Sequence, residues 1–191
     1  MLTKSLAGTL SAVDAYDSEQ LMLTRRGPRG DVDVKRWLRS LPDEESLAFI
    51  MACLAFKGHY GQEMRAFDLA NSCIRRPAHA LAILRLGLVN PDAGSIKYWL
   101  AFAIAKLGGK KVLREVHALL ESDPTTADKA LYWLPRLLPE SDSNAWKLLR
   151  AIHQEAKERG AIREPIMSSD AEGKVLFSPI YGSTPPADES H

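Results

Sequence analysis

This chain of 191 residues has few features of a secreted or membrane-spanning protein. Its two cysteines, Cys53 and Cys73, each lie in an apolar helical pattern and lack the spacing of a metal site. We therefore expect buried free thiols rather than a disulfide or a reactive nucleophile. No apolar run approaches the roughly 18–20 residues that a membrane-spanning helix needs, and the weakly apolar N-terminal stretch is not typical of a signal peptide. These absences predict a cytoplasmic protein without a membrane partner.

An excess of charge of one sign is also missing. The chain has 25 Lys and Arg against 24 Asp and Glu, which gives a net charge of +1. This balance gives no global electrostatic reason to expect nucleic acid as a partner, although it is compatible with a local basic patch. Catalytic motifs are absent as well: we find no glycine-rich phosphate loop, nucleophile elbow, HExxH or recognisable triad. We predict a non-enzymatic protein with no cofactor and no bound metal.

The hydrophobic pattern, in contrast, is strong. Hydrophobic residues make up 46% of the chain, and their spacing is helical almost throughout, with no convincing strand alternation. Short turns rich in Gly, Pro and Asp separate seven to nine predicted helices, and Asp31 and Ser95 are candidate N-caps. The fold-class prediction is all-α. We divide the chain into a partly helical N-terminal extension (1–30), a helical domain (31–159) and an extended or partly disordered tail (160–191).

Two segments of the helical domain repeat one another. The segment that begins at Tyr98, YWLAFAIAKLGGKKVLREVH, returns from Tyr132 as YWLPRLLPESDSNAWKLLRAIH. Each copy reads as one helical hairpin, with Trp99 and Trp133 at matching positions. A hairpin alone cannot bury its apolar stripe, whereas stacked hairpins share one core, so a period in the thirties indicates an α-solenoid.

This unit resembles the HEAT and HEAT-like repeat families. Pro135 lies inside the first helix of the second copy, where HEAT first helices often bend. Asp142 stands at the turn between the two helices, and Arg150 follows in the second helix. The earlier copy departs from this pattern, with Ala101 at the proline position and Gly109 at the turn. The resemblance implies a short right-handed solenoid of stacked antiparallel helix pairs.

The resemblance covers residues 44–158 and is clearest over 96–158. In such proteins the second helices tend to line the concave face, which implies a mildly basic groove here. Five cations of the two clear units would line it: Lys110, Lys111, Arg114, Lys147 and Arg150.

Each copy also carries histidine and aromatic side chains. His117 and His153 stand at the edges of their helix stripes, and we expect them to pack between neighbouring units; a shared metal site is disfavoured because no carboxylate or thiol recurs beside them. We expect Trp99 and Trp133 to pack in the core and between units rather than to form a ligand-stacking shelf. Tyr98 and Tyr132, each offset by one position, are candidates for a partner-binding surface.

Two further segments attract attention. Six cations surround Trp37 in the segment 25–40: Arg25, Arg26, Arg29, Lys35, Arg36 and Arg39. We expect a solvated helix face, with contacts to phosphates or to an acidic protein surface as the alternative. The stretch GHYG, which contains His59 and Tyr60, is predicted to be a turn.

These observations favour a protein-binding helical-repeat module, of the scaffold, adaptor or regulatory and immunity kind, that uses its concave face. The tail could dock a partner or its own groove through Phe177 and Tyr181. The alternative implied by the resemblance is a nucleic-acid-binding enzyme, such as a HEAT-like alkylpurine DNA glycosylase. No catalytic Asp can be matched by motif, so no catalytic residue is assigned.

Overall fold

The computed structural model describes residues 16–24, 31–56, 60–89, 94–161, 167–169 and 175–177. Within these ranges the chain forms nine α-helices: α1 (Ser18–Leu23), α2 (Val32–Ser40), α3 (Asp43–Ala55), α4 (Tyr60–Cys73), α5 (Pro77–Val89), α6 (Ile96–Leu107), α7 (Gly109–Ser122), α8 (Pro124–Leu137) and α9 (Ser143–Glu158). The all-α prediction is confirmed for this helical body. No described helix is long and apolar enough to cross a membrane.

A pair of short strands lies within the segment that was predicted to be an irregular tail. Strand β1 (Met167–Ser169) and strand β2 (Val175–Phe177) pair antiparallel, with Met167 opposite Phe177. Hydrophobic alternation did not reveal them because three residues are too few to establish a period.

Aspartate side chains begin three of the helices. Asp17 accepts a hydrogen bond from the backbone N–H of Gln20, and Asp123 and Asp142 do the same at the starts of α8 and α9. Each bond satisfies an N–H that has no partner inside its helix. Ser95 does stand at the N-cap of α6, but its side chain makes no capping hydrogen bond.

Helices that are two apart in the chain pack side by side. Contacts run from α2 to α4, from α4 to α6 and from α6 to α8, and we call these four helices the first row. The second row comprises α3, α5, α7 and α9, with contacts from α3 to α5 and from α7 to α9. An ion pair between Arg85 and Glu115 connects α5 to α7. Helix α1 packs on α3 and α4.

The buried interior forms two apolar clusters that meet at the middle helices. One cluster joins α5 to α9, and the other joins α1 to α6. Helices α5 and α6 contribute to both, since Leu100 packs in one cluster and Trp99, its neighbour in the chain, packs in the other. The hydrophobic core therefore continues through the middle of the chain.

Trp99 is buried, as predicted, and its position depends on a glycine. The Trp99 side chain is 7% exposed, and it packs against Gly87 of α5. A Cβ atom at Gly87 would lie within 3.0 Å of three ring atoms of Trp99, which no side chain tolerates without movement. Trp133, the matching residue, is only half-buried. The core prediction is therefore right for Trp99 and incomplete for Trp133.

Candidate functional site

The five cations predicted to line the groove lie on the second row and are all exposed. They are Lys110, Lys111 and Arg114 of α7, and Lys147 and Arg150 of α9. Lys110 and Arg114 are one helical turn apart and share a face of α7. Within the described ranges none of the five makes a hydrogen bond or an ion pair with another side chain. We call this surface the basic face.

The acidic side chains beside the basic face are already engaged. Glu115 pairs with Arg85 at 2.9 Å, and a Glu155 oxygen lies 2.7 Å from His117 Nε2. The hydrogen bond from His117 lowers the pKa of Glu155. Glu121, at the end of α7, pairs with Arg159. These carboxylates do not neutralise the five cations, so the basic face retains its positive charge.

The two histidines of the repeated unit have different environments. His117 is exposed and bridges α7 to α9 through Glu155. The ring nitrogens of His153 are buried, and neither has a partner with hydrogen-bond geometry. Burial lowers the pKa of His153, and the nearby Leu131 backbone opposes this shift. Pro135 has no N–H to donate to the Leu131 carbonyl, which leaves that carbonyl facing α9 without its usual helical donor.

No metal centre is present in the part of the chain that the structure describes: no group of three or more His, Cys, Asp or Glu side chains is placed to hold an ion. Both cysteines are free thiols; Cys53 is buried and Cys73 is half-buried. Burial raises the pKa of Cys53 to about 12 and also raises the pKa of Cys73. A protonated, enclosed thiol is a poor nucleophile. The expectation of a buried free thiol is confirmed for Cys53, whereas the free thiol of Cys73 is only half-buried.

The predicted surface tyrosines lie on helices of the first row, whereas the basic face lies on helices of the second row. They belong to a continuous surface on α4, α6 and α8, which we call the aromatic ledge and define by six residues: Tyr60, Lys97, Tyr98, Tyr132, Trp133 and Arg136. The Tyr60 and Tyr98 ring centroids are 5.7 Å apart, and those of Tyr132 and Trp133 are 5.2 Å apart.

Cations connect the rings of the aromatic ledge. Lys97 Nζ lies 4.9 Å from the Tyr98 ring centroid and 5.1 Å from that of Trp133. The Arg136 guanidinium lies 4.5 Å from the Tyr132 ring centroid and 5.3 Å from that of Trp133. These distances are typical of cation–π contacts. The candidate residues thus form two separate surfaces, one on each row.

Sequence reasoning missed Tyr60 as a member of the ledge. The stretch GHYG reads as a turn, but Tyr60 and Gly61 already belong to α4. The Tyr60 hydroxyl lies 3.2 Å from the Tyr98 hydroxyl, and this hydrogen bond lowers the pKa of Tyr98. The two tyrosines are 38 residues apart, so only the offset of the repeated unit could have suggested the pairing. His59 lies outside the described residues.

The cations of α2 are not simply a solvated face. Lys35 pairs with Asp68 at 2.9 Å, and Arg39 donates to the Ser72 carbonyl, so both fasten α2 to α4. Arg36, which is exposed and pairs within its own helix, fits the prediction. The other three cations of this segment, Arg25, Arg26 and Arg29, lie outside the described residues.

Asp31 also has a different role from the predicted cap. It stands at the N-cap of α2, but its carboxylate accepts hydrogen bonds from Arg65 in a buried ion pair. Arg65 also donates to the carbonyls of Leu21 and Thr24. This cluster joins α1, α2 and α4, and it has a structural role.

The remaining predicted contacts belong to the tail. The backbone of Phe177 pairs with that of Met167, and Tyr181 lies outside the described residues.

Scans against protein-family models, curated protein sequences and solved structures return no match for this chain.

Proposed function

We propose that this protein is a short α-solenoid that binds a protein partner without catalysing a reaction. The arrangement of the helices into two rows supports the solenoid. So does the spacing of the side-chain contacts within each row: Lys35 with Asp68, Arg85 with Glu115, and His117 with Glu155 are separated by 33, 30 and 38 residues. Contacts that recur at about one repeat length are what stacked helix pairs produce.

The observation that carries the binding proposal is the unpaired charge of the basic face. Elsewhere in the described body, cations such as Lys35, Arg65 and Arg85 meet a carboxylate of the same chain. Those of the basic face do not. An exposed surface with one sign of charge attracts a partner of the opposite sign and orients it during encounter. We infer that the partner presents an acidic surface to α7 and α9.

A four-site variant, K111A/R114A/K147A/R150A, tests this proposal. The tagged wild-type protein and the variant are used to capture partners from the native lysate, each with and without nuclease treatment, and the bound proteins are quantified by mass spectrometry. The matched control, R36A/R75A, removes two exposed cations elsewhere on the body. We expect a stoichiometric protein that survives nuclease, is retained by the control and is lost from the four-site variant, with both variants melting as the wild type does.

Two outcomes would count against the proposal. If the four-site variant retains the partner in full, the basic face is not the binding surface. If the captured material is only nuclease-sensitive, the protein binds nucleic acid. In that case retention on duplex DNA would fall steeply with salt, because each phosphate contact releases counterions.

A further inference from the structure

We propose that the aromatic ledge is a second binding surface, and that its partner is an extended acidic peptide segment containing proline or aromatic residues. This surface is separate from the basic face: it lies on the first row, and it holds four aromatic rings where the basic face has none. The inference therefore goes beyond the proposed function and is tested with different variants.

The aromatic ledge is continuous across its helices. Tyr60 contacts Tyr98, Lys97 connects Tyr98 to Trp133, and Tyr132 contacts Trp133, so one surface crosses three helices. Neighbouring helices lie about 8–10 Å apart, so the aromatic ledge extends over roughly 20 Å. An extended peptide rises at most about 3.3–3.6 Å per residue, and about six residues cover this length.

The aromatic ledge carries two cations. Lys97 and Arg136 are held over aromatic rings, and among the described residues neither forms an ion pair with a carboxylate. The hydrogen bond between the Tyr60 and Tyr98 hydroxyls lowers the pKa of Tyr98, and the nearby Lys97 lowers it further. Both cations lie at the α6 and α8 part of the aromatic ledge. A partner that offers carboxylates there would supply the charge that the chain itself does not.

The two ends of the aromatic ledge differ in charge. At the α4 end, Glu63 follows Tyr60 by one helical turn, so a carboxylate of this chain already lies there. Tyr60 is 62% exposed and offers a ring to an apolar side chain. The ledge thus offers an exposed tyrosine ring beside a carboxylate at α4, and its two cations lie across α6 and α8. We infer that the partner places its proline or aromatic residue on Tyr60 and its carboxylates near Lys97 and Arg136.

The cations that lie over the rings favour a peptide over a single-stranded nucleic acid as the partner. Nucleobases bind such surfaces by stacking on open ring faces. Here Lys97 lies over the Tyr98 and Trp133 rings, and Arg136 lies over those of Tyr132 and Trp133. Of the four ledge rings, Tyr60 alone has no cation over it within the described part of the chain. Carboxylates pair with the two cations and need no open ring face, and a single proline ring needs only the exposed ring of Tyr60.

Fluorescence anisotropy with a labelled peptide, Gly-Pro-Trp-Pro-Glu-Pro-Glu-Gly, tests the inference on the full chain. A peptide with Gln in place of Glu and an oligothymidylate of similar length serve as probes for charge and for nucleic acid. The ledge variants are K97Q/R136Q and Tyr60→Ser, the matched control is R36A/R75A, and the basic-face variant K111A/R114A/K147A/R150A reports whether the peptide binds the basic face instead. Thermal melting of each variant verifies that it is folded.

We expect the acidic peptide to bind the wild type and R36A/R75A equally, and to remain bound to the basic-face variant. Affinity should fall about tenfold in K97Q/R136Q, which corresponds to about 1.4 kcal/mol, and several-fold in Tyr60→Ser or with the Gln peptide. No binding of the acidic peptide would overturn the inference. Binding lost only in the basic-face variant would assign the acidic partner to that face instead, which would support the proposed function and refute this one. Tighter binding of oligothymidylate, lost in K97Q/R136Q, would identify the ledge as a nucleic-acid surface.

Discussion

The two halves of the helical body use their positive charges in different ways. In the first half, two cations of α2 and α4 contact neighbouring helices: Arg65 meets buried Asp31, and Lys35 meets Asp68. In the second half, the helices α7 and α9 pack through an apolar interface and leave cations such as Arg114 and Arg150 exposed. A cation that pairs with a carboxylate of its own chain joins two helices of the fold. An exposed cation without such a pair is available to a partner.

The largest effect is expected from removing the buried arginine. Arg65→Ala leaves Asp31 buried without its cation and removes the donors to the Leu21 and Thr24 carbonyls. We expect the free energy of unfolding to fall by about 3–5 kcal/mol, measured by urea denaturation. The control is Arg150→Ala, an exposed arginine of α9, which should change stability by less than about 0.5 kcal/mol. Equal effects in the two variants would remove the contrast between the halves.

The next largest effect is expected at the contact between Gly87 of α5 and Trp99 of α6. Gly87→Ala places a methyl group against the Trp99 ring, and we expect overpacking to lower stability by about 1–3 kcal/mol. Combining it with Trp99→Leu should make the two effects less than additive, because the smaller side chain leaves room for the methyl group. Strict additivity would mean that Gly87 and Trp99 are not in the contact described here.

A smaller loss is expected at the start of the last helix. Asp142 accepts a hydrogen bond from the Ala145 N–H at 3.0 Å, and Asp142→Ala should lower stability by about 1 kcal/mol, as is usual for a lost N-cap. Asp142→Asn retains an oxygen that can accept the same bond and should recover most of the loss. If both variants lose the same amount, charge rather than capping explains the role of Asp142.

His153 gives a pH-dependent effect. Burial disfavours the imidazolium and holds the folded-state pKa of His153 below the ordinary histidine value of about 6.5. The unfolded chain therefore binds the proton more readily, and stability from this group is present above that value and is lost as pH falls from it toward the folded pKa. We expect His153→Leu to flatten the stability profile in this range. The pKa values of the Asp123 and Glu155 carboxyl groups are also lowered. The stability that these two groups contribute to the fold is lost at more acidic pH than that of His153.

Apolar spacing predicted the elements that depend on neighbours in the chain. Helix α5 was expected over 77–89 and is observed as Pro77–Val89, because Pro77 marks its start and its apolar pattern is unbroken. Trp99 was identified as core from its stripe alone. Burial of this kind follows from local periodicity.

Contacts between distant residues were not accessible in the same way. Asp31 suits an N-cap by its position before α2, and only the fold reveals that Arg65, 34 residues later, engages it. Lys35 likewise reads as a surface cation until Asp68 is brought beside it. The aromatic ledge was recognised in part, because Tyr98 and Tyr132 repeat, whereas Tyr60 is masked by its glycine-flanked setting.

The smallest effect on stability, and the most direct test of the account, comes from comparing two matched pairs of substitutions in one experiment. The variant K35Q/R39Q removes cations that fasten α2 to α4, and K147Q/R150Q removes cations of the basic face. Melting temperature and capture of the nuclease-resistant partner are measured for both. We predict that K35Q/R39Q melts earlier and still captures the partner, while K147Q/R150Q melts as the wild type does and captures much less. The reverse pattern, or undiminished capture by K147Q/R150Q, would contradict the proposal that the basic face is a protein-binding surface.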